Sequence, residues 1–195
     1  MLKWLLLALL LSTDAVGQGI PQGTQKTRIA ELIAALHKEP WPGATNICSP
    51  VCWQFRFTTP MKALLDIGRE AQRPLLTHLF DAEIMDQVVI LLGGVGDERS
   101  VGPIIQAMKL AAAEPSGSRR NRILTAGNLA LTNITVSEVI WHHGGGVPID
   151  RCPSEPAACW SKWWHSNEAV FHVRDIKQSR RYVNYPNYGV YQGLP

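Results

Sequence analysis

The chain lacks any long apolar run after its first eleven residues, so residues 12–195 hold no stretch of the ~20 apolar residues that a membrane-spanning helix needs. It also lacks a strong excess of either charge. Nineteen basic and 16 acidic residues leave a net +3, too mild for the electrostatic footprint of a nucleic-acid binder. Cysteine is scarce, with four in the whole chain, and their spacings match no familiar zinc module. No serine carries the flanking glycines of a Gly-x-Ser-x-Gly nucleophile elbow. These absences argue against catalysis, and no catalytic residue, cofactor or metal is expected.

What the chain does have is an internal repeat. Ala63–Phe80 (ALLDIGREAQRPLLTHLF) closes an apolar run on Ile67-Gly68, passes through a charged turn and enters a second apolar helix. Leu91–Met108 (LLGGVGDERSVGPIIQAM) does the same at Val95-Gly96, Asp97-Glu98-Arg99 and Ile104-Ile105. Gly68 recurs as Gly96, 28 residues on, and the match runs without gaps: Glu70 with Glu98, Leu76 with Ile104, Phe80 with Met108. A fixed period of this size predicts helix pairs stacked as a solenoid, each unit covering the apolar face of its neighbour. Gly96 is expected to close the first helix with a positive φ, and Asp97 to cap the second by accepting backbone N–H bonds. Ser118–Ile140 has the helical content of a third, degenerate unit.

The second copy resembles a bacterial HEAT repeat of the phycobilisome-lyase type, through Leu91, Leu92, Gly96, Asp97, Arg99, Val101, Ile104, Ile105 and Met108. The resemblance implies Glu83–Val95 as an outer helix and Glu98–Met108 as an inner one. The family has a proline where this chain has Gly102; the first copy keeps it as Pro74 but places Arg69 where the capping aspartate would stand. Relatives of this type attach bilins to partner proteins inside cells. The more general implication is a partner surface along the second helices, near Arg69, Arg73, Glu98 and Arg99.

The N-terminus points to export. Lys3, the apolar run Trp4–Leu11 and the small residues Ala15 and Gly17 have the order of a secretory signal peptide. Asp14 interrupts the run too early for an anchor. An exported chain meets oxidising conditions, so the four cysteines are disulfide candidates. Of three pairings, the local ones, Cys48 with Cys52 and Cys152 with Cys159, are favoured, because each pair lies in one short proline-containing segment. The rival is a staple between the two regions.

Toward the C-terminus, Trp160, Trp163 and Trp164 fall within one helix, with Trp160 and Trp164 on one face. The favoured reading is a cap that seals the last unit; the other is an aromatic contact surface for a partner. His142–Gly146 (HHGGG) cannot be regular helix. As part of an oxyanion hole, or as a metal site with His165 or His172, it carries the alternative function, a hydrolase or metalloenzyme. Asn133-Ile134-Thr135 forms an N-glycosylation sequon.

The expected organisation is a signal peptide over 1–17 and a linker, capping helix and cysteine segment over 18–57. HEAT-like repeats occupy 58–141, a Gly/Cys loop and Trp-rich capping helix 142–178, and an extended tail 179–195. The expected fold is all-α: a short α-solenoid with an irregular disulfide-bearing N-terminal segment and a Trp-rich C-terminal cap. The expected function is that of an exported module, periplasmic or extracellular, that binds or scaffolds another protein.

Overall fold

The computed structural model describes residues 22–48, 52–135, 139–142, 145–148, 152, 154–172, 182–185 and 188–191, with backbone alone in the strand segments. Residues 1–17, expected to be a signal peptide, lie outside these residues. The packed core is all-helical. Helix α1 (Gln22–Leu36) buries Ile29, Ile33 and Leu36, the apolar stripe that its periodicity predicts. Helix α2 (Thr59–Ile67) runs into a single 3-10 turn, Gly68–Ala71, and then α3 (Gln72–Thr77). Helices α4 (Met85–Val95) and α5 (Glu98–Ala113) make up the second copy, and α6 (Ser118–Thr135) comes next. Helix α7 (Pro156–Asn167) carries the three tryptophans. No helix among the described residues is long and apolar enough to cross a membrane.

The expected outer helix is instead the innermost. Every residue of α4 is buried, including Asp86 and Gln87. Its sequence, MDQVVILLGGV, is apolar almost all round, and a helix of that kind has no face to give to water. It packs against α2, α3 and α6, while α5 packs against α3, α6 and α7. Two side chains tie α4 down at its polar positions: Asp86 Oδ2 accepts from Arg122 Nε at 2.7 Å, and Gln87 Nε2 donates to the Leu36 carbonyl at 3.0 Å.

Thr58 precedes α2, and its hydroxyl makes no capping bond. Helix α7 is entered from Glu155, whose φ of 46° takes the left-handed region. Gly96 has an ordinary φ of −81°, while Gly68, its equivalent, has φ 75°. The two glycines answer different needs. Gly68 supplies the backbone angle. Gly96 supplies room: a Cβ there would stand 2.4 Å from the Leu92 carbonyl oxygen and 2.6 Å from Ser100 Oγ.

A similar close approach joins α5 to α6 at Gly127, where a Cβ would meet Met108 Cγ at 2.4 Å and Sδ at 2.5 Å. Met108 is fully buried and has little room to withdraw. Gly127→Val is therefore expected to lower stability by about 1–3 kcal/mol in urea unfolding. Gly117→Ala, at an open position, serves as the control.

Short strands stand beside the helical core. Strands β1 (Ala44–Cys48) and β2 (Cys52–Phe55) pair antiparallel and place Cys48 opposite Cys52; their side chains lie outside the description. Strands β3 (Val139–His142) and β4 (Gly145–Pro148) form a hairpin, with His142 opposite Gly145. The tail is a hairpin rather than simply extended: β5 (Tyr182–Tyr185) pairs with β6 (Tyr188–Tyr191), and β6 pairs with β2. Trp53 and Phe55 fall in β2.

Cys152 and Cys159 are joined by a disulfide, with their Cα atoms 5.6 Å apart. It ties the approach segment to the first turn of α7. Removing it as Cys152→Ser with Cys159→Ser is expected to cost about 2 kcal/mol, the loop being short. The check is a melting curve: reductant should lower the wild-type midpoint and leave the variant's unchanged.

Candidate functional site

Where the two copies meet, a polar joint forms around Asp97. This carboxylate is 1% exposed at the entrance to α5. Its Oδ1 accepts from the Arg99 backbone N–H at 3.0 Å, the expected helix cap. Arg99 returns over the same carboxylate, Nη2 donating to Oδ2 at 2.6 Å and Nε to both oxygens at 3.1 Å. From the first copy, Arg69 Nη2 donates to Oδ2 at 2.8 Å. Gln72 Nε2 donates to Oδ1 at 2.5 Å and to Ser100 Oγ at 3.0 Å. Burial strips water from the Asp97 carboxyl and pushes its pKa up, but the hydrogen bonds from Arg99, Gln72 and Arg69 outweigh that and hold it well below the ordinary carboxylate range. Asp97 in turn raises the pKa of the Arg99 guanidinium.

Arg69 and Asp97 are 28 residues apart, and so are Gln72 and Ser100. That is the period of the repeat. Two of the bonds across the joint, Arg69 to Asp97 and Gln72 to Ser100, therefore link equivalent positions of the two copies; Gln72 to Asp97 and Arg99 to Gln72 do not. Arg69, the repeat equivalent of Asp97, reaches that aspartate in the next copy. Sequence reasoning does not single out Gln72; its only signal is its alignment with Ser100.

The other expected site residues are distributed unevenly. Arg69 and Arg99 keep side chains 58% and 65% exposed, so both reach solvent from the joint. Arg73 is exposed on α3, and Glu98 is half-buried beside Asp97. Trp160, for which a partner contact is the alternative to the cap reading, is 0% exposed. Its indole packs in the core, and its Nε1 donates to Asn128 Oδ1 at 2.7 Å, pinning α7 to α6. Trp163 and Trp164 are partly exposed and share edge contacts with Phe171, at ring separations of 5.4 and 6.1 Å. Asn133 of the sequon is buried and donates to the Gly93 carbonyl at 2.6 Å, so the folded chain does not offer it to a glycosylating enzyme.

Of His142–Gly146, His142 ends β3 and Gly145 and Gly146 open β4, with their side chains outside the description, and residues 143–144 lie outside the described residues. His165 and His172 are exposed. Among the described residues no group of three or more His, Cys, Asp or Glu converges as metal ligands would. Comparison with protein-family models, curated proteins and solved structures finds no match to this chain.

Proposed function

We propose that the chain is an exported helical-repeat module of HEAT-like units that binds another protein. The pairs α2–α3 and α4–α5 are its successive units, α6 belongs to the degenerate third, α1 covers one end, and α7, anchored by Trp160, covers the other. The observation that carries this reading is the joint: hydrogen bonds between equivalent positions, one repeat apart, are what stacked units make and what an irregular bundle has no reason to make. Stacked second helices leave a shared solvent face, and Arg69, Arg73 and Arg99 stand on it. The disulfide at α7 suits the oxidising compartment that the N-terminal segment implies.

The test is in-cell crosslinking of a C-terminally tagged chain, with mass spectrometry of what co-purifies. A reproducible partner that is lost on changing exposed residues of α3 and α5 supports the reading. Generic ester hydrolysis, or stoichiometric metal in the purified protein, would refute it. N-terminal sequencing of the purified chain tests export separately, with a start near Gln18 expected.

A further inference from the structure

Helix α1 ends at Leu36, and the next residue, His37, reaches across to the turn between α3 and α4. Its ring meets a carboxylate at each nitrogen. Nδ1 lies 2.9 Å from Glu83 Oε2, and Nε2 lies 3.3 Å from Asp81 Oδ2. An ionised carboxylate only accepts hydrogen bonds. A neutral imidazole has one N–H and one lone pair, so it turns the lone pair on one of the two carboxylates. The imidazolium carries an N–H on both nitrogens and a positive charge between the two acids. The arrangement therefore suits the charged ring. Asp81 is itself held in place, because its Oδ1 accepts from the Glu83 backbone N–H at 3.2 Å and its carbonyl from the Ile84 N–H at 3.2 Å.

Other charged groups stand on the elements around this end of α1. Helix α2 carries Lys62 and Asp66, and exposed His78 follows α3. Near the start of α4, Asp86 is held by Arg122 at 2.7 Å. Arg119 of α6 reaches the same turn, donating to the Ala82 carbonyl at 3.2 Å, and is paired with Glu114. Lys38 and Glu39 follow His37 in the chain. The ion-pair partners of the ring among the described residues are Asp81 and Glu83. A second tie at this end, from Gln87 Nε2 to the Leu36 carbonyl, joins groups that do not titrate.

We propose that His37 is a pH-sensitive latch on α1, closed by the charged ring and loosened when the ring gives up its proton. An imidazole makes that change between about pH 5 and 8, where both carboxylates stay ionised. The hold is fully present on the acid side of that range and is lost as pH rises through it. On the alkaline side α1 keeps the Gln87 bond and its buried stripe of Ile29, Ile33 and Leu36, so it opens more often without leaving the body. Each opening bares that apolar stripe. This holds whether or not the chain binds another protein.

The experiment is native-state hydrogen exchange of the full chain, read by mass spectrometry on peptides from α1 and corrected for the intrinsic pH dependence of exchange. From about pH 5.5 to about pH 7.5 the protection of α1 is expected to fall about threefold, the scale of an exposed charge pair, while peptides from α6 stay level as the reference. His37→Gln should show the lower protection at both pH values. His37→Arg, charged throughout, should keep the higher protection at both. Glu83→Gln should shrink the pH response without abolishing it, since Asp81 remains. Protection of α1 that is equal at the two pH values, that rises with pH, or that falls as much in His37→Gln as in the wild type overturns the proposal.

Discussion

Trp160→Ala is expected to lower the stability of the chain by about 3–5 kcal/mol, the range for truncating a large buried aromatic. Trp160 is among the largest fully buried side chains, and it fills the seam where α7 meets the body. Three losses combine. Its ring leaves a cavity that the backbone of α7 cannot fill by small shifts. Its Nε1–H bond to Asn128 disappears. Its edge contact with Trp163, at a centroid separation of 5.5 Å, is lost as well, which loosens the remaining aromatic cluster. Because most single domains have about 5–15 kcal/mol in total, a loss of this size should leave the variant close to its folding threshold. Urea unfolding monitored by circular dichroism measures it. Trp164→Ala, at a partly exposed position, should cost distinctly less; equal costs would mean that the cap is not built on Trp160.

Asp97→Ala is the second large effect, expected at about 3 kcal/mol. Losing the N-cap accounts for about 1 kcal/mol. Leaving the buried Gln72 amide with one acceptor fewer adds about 1–3 kcal/mol. The ion pairs add little, because both guanidiniums are more than half exposed and water takes them back. The effect has a pH signature. The folded-state pKa of Asp97 is depressed, so its stabilisation is fully present above the ordinary 3.8 of an unfolded aspartate and is lost as pH falls through the lower folded value. The gap between wild type and Asp97→Ala should be constant from neutral pH down to about pH 5 and shrink below pH 4. A gap that widens on acidification would reverse the sign and refute the assignment.

These residues show what the sequence makes legible. The repeat could be read because its turns are built from short-range chemistry: a glycine, a capping aspartate, then an apolar run. The hydrogen bonds of Asp97 to Arg99 answer that reading directly. The burial of α4 had a signal, its nearly unbroken apolar composition, but the family resemblance gave it an outer position that such a helix cannot hold. Choosing between Trp160 and Trp164 needed the third dimension. Both lie on one helical face, and only the neighbours α5 and α6 decide which is covered. The reason for Gly96 was also invisible, since a steric demand from Leu92 and Ser100 leaves no trace in local propensity. The hairpins β3–β4 and β5–β6 depend on pairing between segments, which composition does not specify.

If the two copies stack in register, Arg69 and its repeat equivalent Asp97 touch. A double-mutant cycle between Arg69→Ala and Asp97→Ala, read by urea unfolding at neutral pH, tests it most directly. The account predicts a coupling of about 0.5–1 kcal/mol, with Arg69→Ala costing little once Asp97 is gone. Costs that add within about 0.3 kcal/mol would mean that the two side chains do not meet, and the stacked-repeat account would fail.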